Sequence, residues 1–177
     1  MSRTKKLTLT AMIAALCLLC LAGSSLLPRV TLSLAALAGI FPAATVIVCG
    51  SGWAACGSAV AAALALLLLP DKTAGVWFAC FFGHYPIWKA LIEALQARLG
   101  KPWLGWLLKR LGFAACMLLL YLAFSGLFAA AIPYAFSEHS AGPFILAAVL
   151  LAAFAVYDYA FSILITFFRV KILPKLH

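Results

Sequence analysis

The sequence predicts an all-α membrane protein, folded as a compact bundle of six transmembrane helices. Of the 177 residues, 67% are hydrophobic and 10% are charged, and the mean hydropathy is +1.16. A soluble domain is about half apolar and about a quarter charged, so the apolar residues exceed what a globular core can bury. They are arranged in six runs, and a helix needs roughly 20 apolar residues to cross a bilayer.

The six predicted spans follow one another with short polar breaks between them. They cover residues 7–27, 31–49, 53–69, 75–98, 107–132 and 143–169. Helix-stopping prolines follow three of the spans, at Pro28, Pro70 and Pro133. Pro42 lies inside the second span, where we expect it to kink the helix. No soluble domain or long linker is left over, so residues 1–177 are expected to form a single integral membrane domain.

The basic residues predict how the bundle is oriented. The chain has 13 Lys and Arg against 4 Asp and Glu, for a formal net charge of +9. Most of the basic residues lie in the N-terminal segment, in or beside the gap after the fourth span, or around the C-terminal end of the last span, all on one side of a six-span bundle. Positive charge gathers on the cytoplasmic side. We therefore expect a multi-pass protein of the bacterial inner membrane with both termini in the cytoplasm, and no binding of nucleic acid.

The N-terminal segment also resembles a secretory signal, with a basic start, an apolar run and small residues after it. Cleavage there would leave an odd number of spans and reverse the charge rule downstream. We therefore interpret the segment as an uncleaved first span. Cys17 and Cys20 form a CxxC pair inside this span, where they are expected to act as small packing residues rather than as redox or metal groups.

Lys89, Glu93 and Asp158 lie inside the predicted spans, and a charge at the bilayer centre costs about 2.5–3.5 kcal/mol on insertion scales. Lys89 and Glu93 are four residues apart and share one face of the fourth span. Asp158 lies in the sixth span at about the depth of Lys89. We therefore expect Asp158 to pair with Lys89, with Glu93 as a competing partner. This cluster is either a lock between two helices or a binding or proton-handling site.

The fourth span also carries a histidine among aromatic residues. His84 borders Pro86, whose ring leaves the backbone carbonyl of Phe82 without its helical donor. One interpretation is a core histidine that donates to a backbone carbonyl. The other is that His84 faces a cavity with Tyr85 and Trp88. Aromatic rings with one or two polar groups suit a flat heteroaromatic ligand.

Small residues recur at intervals of four in the first and third spans. Such spacing lets two helix backbones approach closely in lipid. The third span has two such stripes, for which internal packing is the preferred interpretation: Gly50, Ala54, Ser58 and Ala62, and then Ala55, Ala59 and Ala63. In the first span, Ala11 and Ala15 serve either internal packing or the docking of a partner.

The basic N-terminus, the first-span opening LTLTAMIAA (residues 7–15) and the six spans resemble the S components of energy-coupling factor (ECF) transporters. In that family a membrane subunit captures a vitamin or other small-molecule micronutrient. It docks through an AxxxA face of helix one onto a transmembrane coupling subunit, which a pair of ATPases drives. The resemblance implies partner docking at Ala11 and Ala15. It also implies a pocket at the outer ends of the helices, with these candidate ligand-binding residues: His84, Tyr85, Trp77, Tyr134, Glu138 and His139.

A second six-span family of similar size is the cell-shape protein MreD, which would make the chain a non-transporting membrane scaffold. Enzyme signatures are absent from the sequence: it has no HExxH, no GxSxG and no phosphate-binding glycine loop. The four acidic residues of the chain supply few carboxylates for a two-carboxylate mechanism or a metal site. We therefore expect no catalytic residues, no metal and no cofactor, and active transport would need partner ATPases.

Overall fold

Wherever the described part of the chain has secondary structure, it is helical. The structure, a computed structural model, describes residues 2–70, 72–123, 142–167 and 170. Three helices in these ranges are long and apolar enough to cross a membrane, namely Arg3–Leu26, Thr31–Cys49 and Ser51–Leu68. The predicted all-α class is confirmed for the described residues, and the apolar helices indicate a membrane-embedded protein. The number of six crossings stays a prediction.

The chain divides into two compact units, a first unit of residues Met1–Gly105 and a second unit of residues Trp106–His177. The first unit contains, in chain order, α1 (Arg3–Leu26), a 3₁₀ turn (Pro28–Val30), α2 (Thr31–Ala38), α3 (Ile40–Cys49), α4 (Ser51–Leu68), α5 (Lys72–Trp77), a π-helical turn (Phe78–Phe82) and α6 (Tyr85–Leu99). The second unit contains most of α7 (Pro102–Ala123) and all of α8 (Gly142–Phe167). The single domain that the sequence predicts stays a prediction.

The predicted second span is divided into α2 and α3 by a turn at Gly39. Pro42 explains the position of this break, because its ring collides with the carbonyl four residues earlier, that of Ala38, and it has no N–H to donate there. The thiol of Cys17 on α1 donates to this carbonyl oxygen instead, at 3.7 Å. The predicted kink is confirmed, and it lies just before Pro42. Gly50, at φ 98°, makes the tight turn into α4 that a residue with a side chain would resist.

The predicted fourth span, residues 75–98, contains more than one helix, and its crossing of the membrane stays a prediction. α5 runs into the π-helical turn, where the N–H of Gly83 donates to the carbonyl of Phe78 at 2.7 Å. A new helix, α6, begins at Tyr85 with Pro86 in its first turn. Pro86 suits this place because a first-turn N–H has no helical acceptor in any case. Pro86 therefore starts a separate helix instead of lying inside a continuous one.

Packing in the first unit centres on α1 and α4, which contact each other as well as α3. Ala54, Ser58 and Ala62 of the first small-residue stripe on α4 are buried, so internal packing is confirmed for these residues. The second stripe, Ala55, Ala59 and Ala63, is exposed. Gly57 marks the closest approach to α1, because a Cβ placed there would lie 2.8 Å from Cγ2 of Thr10.

The described part of the second unit is held by stacked aromatic rings. Phe113 of α7 and Phe154 of α8 are buried, with ring centroids 4.3 Å apart and planes at 13°. Along α8, the rings of Tyr157 and Phe161 lie 5.5 Å apart. Offset ring pairs of this kind add to the free energy of burial. The end of the predicted fifth span, residues 124–132, lies outside the described residues.

We expect Gly57→Ala to destabilise the protein by about 1–3 kcal/mol, because the added methyl group must displace Thr10. Thr10→Ser removes the colliding Cγ2, so the double variant should recover most of the lost stability. Gly52→Ala is the matched control, since a Cβ on this residue of α4 meets nothing within 4 Å. It should be neutral or stabilising. Thermal unfolding in detergent measures all four proteins, and equal losses for Gly57→Ala in both Thr10 backgrounds would contradict the close contact.

Candidate functional site

The break between α5 and α6 is held in place by a hydroxyl from a neighbouring helix. Ser58 of α4, which is buried, donates from Oγ to the backbone carbonyl of Gly83 at 3.0 Å. This carbonyl is open because the N–H of Ile87, its usual helical donor, instead donates to the carbonyl of His84 at 3.1 Å. A buried carbonyl without a donor is costly. The Ser58 hydroxyl therefore stabilises the irregular backbone and fixes it against α4.

Aromatic rings fill the inner side of the break. The ring of Phe81 lies 5.0 Å from that of Phe82, edge-on at 71°, and 5.2 Å from that of Tyr85. These three side chains and Phe78 are buried. The cluster supplies a rigid apolar wall at the start of α6, and Tyr85 connects this wall to the charged residue of the next turn.

That charged residue, Lys89, is 1% exposed. Its Nζ lies 3.5 Å from Oε1 of Glu93 and 5.9 Å from the centroid of the Tyr85 ring. The carboxylate and the face of the aromatic ring both compensate a buried ammonium group. The Glu93 side chain is 47% exposed, so the ion pair has one buried and one accessible end. The accessible carboxylate of Glu93 is therefore the charged partner of a lysine that is itself buried.

The residues predicted around His84 divide between two faces. Tyr85 and Lys89 are buried, whereas His84 and Trp88 are exposed, again four residues apart. The interpretation of His84 as a core histidine is therefore wrong, and its role as a ligand-binding residue stays a prediction. Trp77, at the end of α5, is half-buried. The remaining candidates for ligand binding lie outside the described residues: Tyr134, Glu138 and His139.

Asp158 of α8 lies beside a lysine that the sequence did not suggest. Its Oδ2 is 3.7 Å from Nζ of Lys109 on α7, and the two side chains are 24% and 14% exposed. The sequence groups Lys109 with the basic residues of the cytoplasmic gap, and its place near the start of the predicted fifth span gives no sign of an acidic partner. The predicted pairing of Asp158 with Lys89 stays a prediction.

The two faces of α1 differ in what they contact. Thr10, Cys17 and other residues of one face are buried. Ala11 and Ala15, the predicted docking residues, are both exposed on the other face. Docking by these residues stays a prediction, but their side chains are open to a neighbour.

Sequence reasoning missed the polar side chains that serve carbonyl groups of neighbouring helices. Besides Ser58 and Cys17, the thiol of Cys20 donates to the carbonyl of Leu34 on α2 at 3.6 Å. The available signal was the pair of prolines, Pro42 and Pro86, since each removes a backbone donor. Which side chain donates to an open carbonyl depends on how the helices are rotated about their axes. Sequence alone does not give that rotation.

The described helices define a membrane-embedded helical protein with an interrupted fourth segment and a buried lysine. Comparison with protein-family models, with curated proteins and with solved structures finds no match to this chain. Its function has to be inferred from the chain's own residues and their geometry.

We expect Ser58→Ala to destabilise the protein by about 1–3 kcal/mol, because it leaves the buried Gly83 carbonyl without its donor. Ser33→Ala is the matched control, since Ser33 is exposed on α2 and should tolerate the change. Chemical unfolding in detergent, followed by circular dichroism, measures both. An identical stability for the two variants would show that the Ser58 hydroxyl does not support the break.

We expect Lys109 and Asp158 to be energetically coupled. In a double-mutant cycle with Lys109→Met and Asp158→Asn, unfolding free energies should depart from additivity by about 0.5–3 kcal/mol, as contacting residues do. A parallel cycle of Asp158→Asn with Lys89→Met tests the pair that the sequence predicts. Lys101→Met is the control, since Lys101 is exposed. Additive behaviour for Lys109 and Asp158 would contradict their pairing.

Proposed function

We propose that this protein is a substrate-capturing membrane subunit, an S component of an ECF-type micronutrient importer that docks through α1 onto a transmembrane coupling subunit. The observation that carries the proposal is the exposure of Ala11 and Ala15, four residues apart on a long apolar helix. Small side chains at this spacing let a second helix approach the backbone closely, which is how helices associate in lipid.

The surroundings of this pair support a docking surface. Leu7, Met12 and Leu19, which are large, are also exposed along α1. The two alanines therefore lie among larger exposed side chains, and we propose that a partner helix packs against them and forms a shallow groove with its neighbours. The opposite face of α1 is already occupied by α2, α3 and α4, so a partner has this outer face to bind.

The interrupted fourth segment supports substrate capture. Transporters use breaks in membrane helices to bind cargo. The Gly83 carbonyl at this break already accepts a hydrogen bond from Ser58, so the proposal relies on the side chains beside the break. Here the break lies beside buried aromatic rings and Lys89, with His84 and Trp88 exposed on the other face. We propose that His84, with the neighbouring aromatic residues, binds a flat heteroaromatic micronutrient.

The distribution of charge supports a matching orientation. With six spans, the basic residues at the N-terminus, after the fourth span and at the C-terminus face the cytoplasm of a bacterial cell. The coupling subunit and its ATPases would act from that side. The chain has no phosphate-binding glycine loop, so energy for uptake comes from those partners.

The experiment is co-purification from native membranes with Ala11→Leu and Ala15→Leu combined. We expect at least a ten-fold loss of a co-purifying coupling subunit and ATPase pair, because two leucines fill the groove that the partner helix enters. Both alanines are exposed, so thermal stability of the isolated chain should change little. The amount of each partner is measured by quantitative mass spectrometry against the unmodified protein.

The matched control is Ala55→Leu with Ala59→Leu, which places the same side chains at the same spacing on the exposed face of α4. This variant should retain the partners. Loss of the partners from the α4 variant alone would move the docking surface to α4, and retention in both variants would remove the docking proposal.

A second candidate is a non-transporting membrane scaffold of the MreD type, and the tight association of α1, α3 and α4 favours it. The partly open cavity among these helices has a volume of about 10 Å³, which is room for one water molecule and not for a micronutrient. A scaffold needs rigid helices and no ligand. Co-purification with cell-wall machinery and no bound small molecule would support the scaffold, whereas a bound small molecule would support the importer.

A further inference from the structure

The small cavity of the first unit is unusual in its lining rather than in its size. It is a partly open pocket among α1, α3, α4 and the π-helical turn, with a volume of about 10 Å³ and a mostly apolar lining. Three residues with hydroxyl groups line it, one from each of the three helices: Thr10, Thr45 and Ser58. Purely apolar cavities in proteins stay dry, whereas hydroxyl groups at a cavity of this volume can hold one water molecule.

Thr10 is the residue that needs explanation. It is 6% exposed, and its Oγ1 has no hydrogen-bond partner among the described residues. Buried hydroxyl groups in folded proteins nearly always have a partner, since an unsatisfied one loses its hydration without replacement. A threonine in a helix can donate to the carbonyl four residues earlier, as Thr8 does to Thr4 on the same helix. Thr10 does not, and it is one of the residues that line the cavity.

The hydroxyl oxygens of Thr45 and Ser58 can each accept a hydrogen bond. Thr45 donates its hydrogen to the carbonyl of Phe41 at 3.1 Å, and Ser58 donates its hydrogen to the carbonyl of Gly83 at 3.0 Å. Each of these oxygens keeps lone pairs that can accept a further hydrogen bond. The Thr10 hydroxyl keeps its hydrogen. The cavity wall therefore offers one donor and two acceptors.

We propose that this cavity is a binding site for a single water molecule, which accepts a hydrogen bond from Thr10 and donates to Thr45 and Ser58. Water has the one accepting oxygen and the two hydrogens that this wall requires, and three hydrogen bonds are typical of a buried water. A monovalent cation has a similar size, but every side chain in the wall is neutral, so a buried charge there would lack compensation.

The bound water links three helices at their closest approach. Thr10 belongs to α1, Thr45 to α3 and Ser58 to α4, and Ser58 also holds the broken segment through Gly83. The water thereby connects α1 to the break that precedes α6. This role does not depend on whether the protein is an importer or a scaffold.

The test is Thr10→Val, which keeps the shape of the side chain and removes its hydroxyl. If water is bound, the variant leaves that water one partner short, and the unfolding midpoint should fall by about 2–4 °C. In a dry cavity the same change removes an unsatisfied hydroxyl, so the midpoint would rise or stay constant, and the proposal would be overturned. Thr8→Val is the control on an exposed position of α1, and it should change the midpoint less.

Two further measurements distinguish a bridging water molecule from a simple loss of stability. In a cycle of Thr10→Val with Ser58→Ala, a shared water makes the midpoint shifts non-additive, whereas additive shifts would overturn the proposal. If a variant does not fold, an experimental structure of the unmodified protein decides the question. It should show an ordered water within hydrogen-bond distance of Oγ1 of Thr10, and a well-resolved cavity without one would overturn the proposal.

Discussion

The rest of this structure depends on one constraint, which is that backbone carbonyls inside an apolar helical protein need a donor from the protein itself. In lipid no solvent replaces a missing hydrogen bond. Pro42 leaves the carbonyl of Ala38 without its helical donor, and the Cys17 thiol donates to it. The carbonyl of Gly83 is open at the second break, and Ser58 donates to it. Both donors come from α1 or α4, the pair at the centre of the first unit.

The second of these contacts lies at the break that precedes the helix with the buried Lys89. Because the backbone is interrupted before Tyr85, α6 can follow its own direction and place Tyr85 and Lys89 in the interior. Lys89 then has Glu93 and the Tyr85 ring beside it. A lysine buried at this level without such groups would be expensive.

Local signals were sufficient to predict part of this fold from sequence. α1 and α4 follow from apolar length, and the break near Gly39 follows from Pro42, since each depends on neighbouring residues only. The faces of the fourth segment were not predictable, because the π-helical turn spaces its hydrogen bonds over five residues. The interpretation of His84 as a core histidine came from the Phe82 carbonyl that Pro86 leaves open, and this local signal does not say which face of the segment is buried. Lys109 beside Asp158 depends on the register of two helices, which local patterns do not contain.

Because α1 has one buried face and one exposed face, its role in internal packing can be tested separately from the docking of a partner. The buried face carries the groups that serve neighbouring helices, among them Thr10 and Cys17, and changes there act on stability. The exposed face carries Ala11 and Ala15, which contribute little to the fold and leave room for another helix. Exposed small residues alone do not identify a docking surface, since Ala55, Ala59 and Ala63 of α4 are exposed as well. The docking proposal therefore rests on the exposed alanines of α1 together with the LTLTAMIAA opening of the helix that carries them.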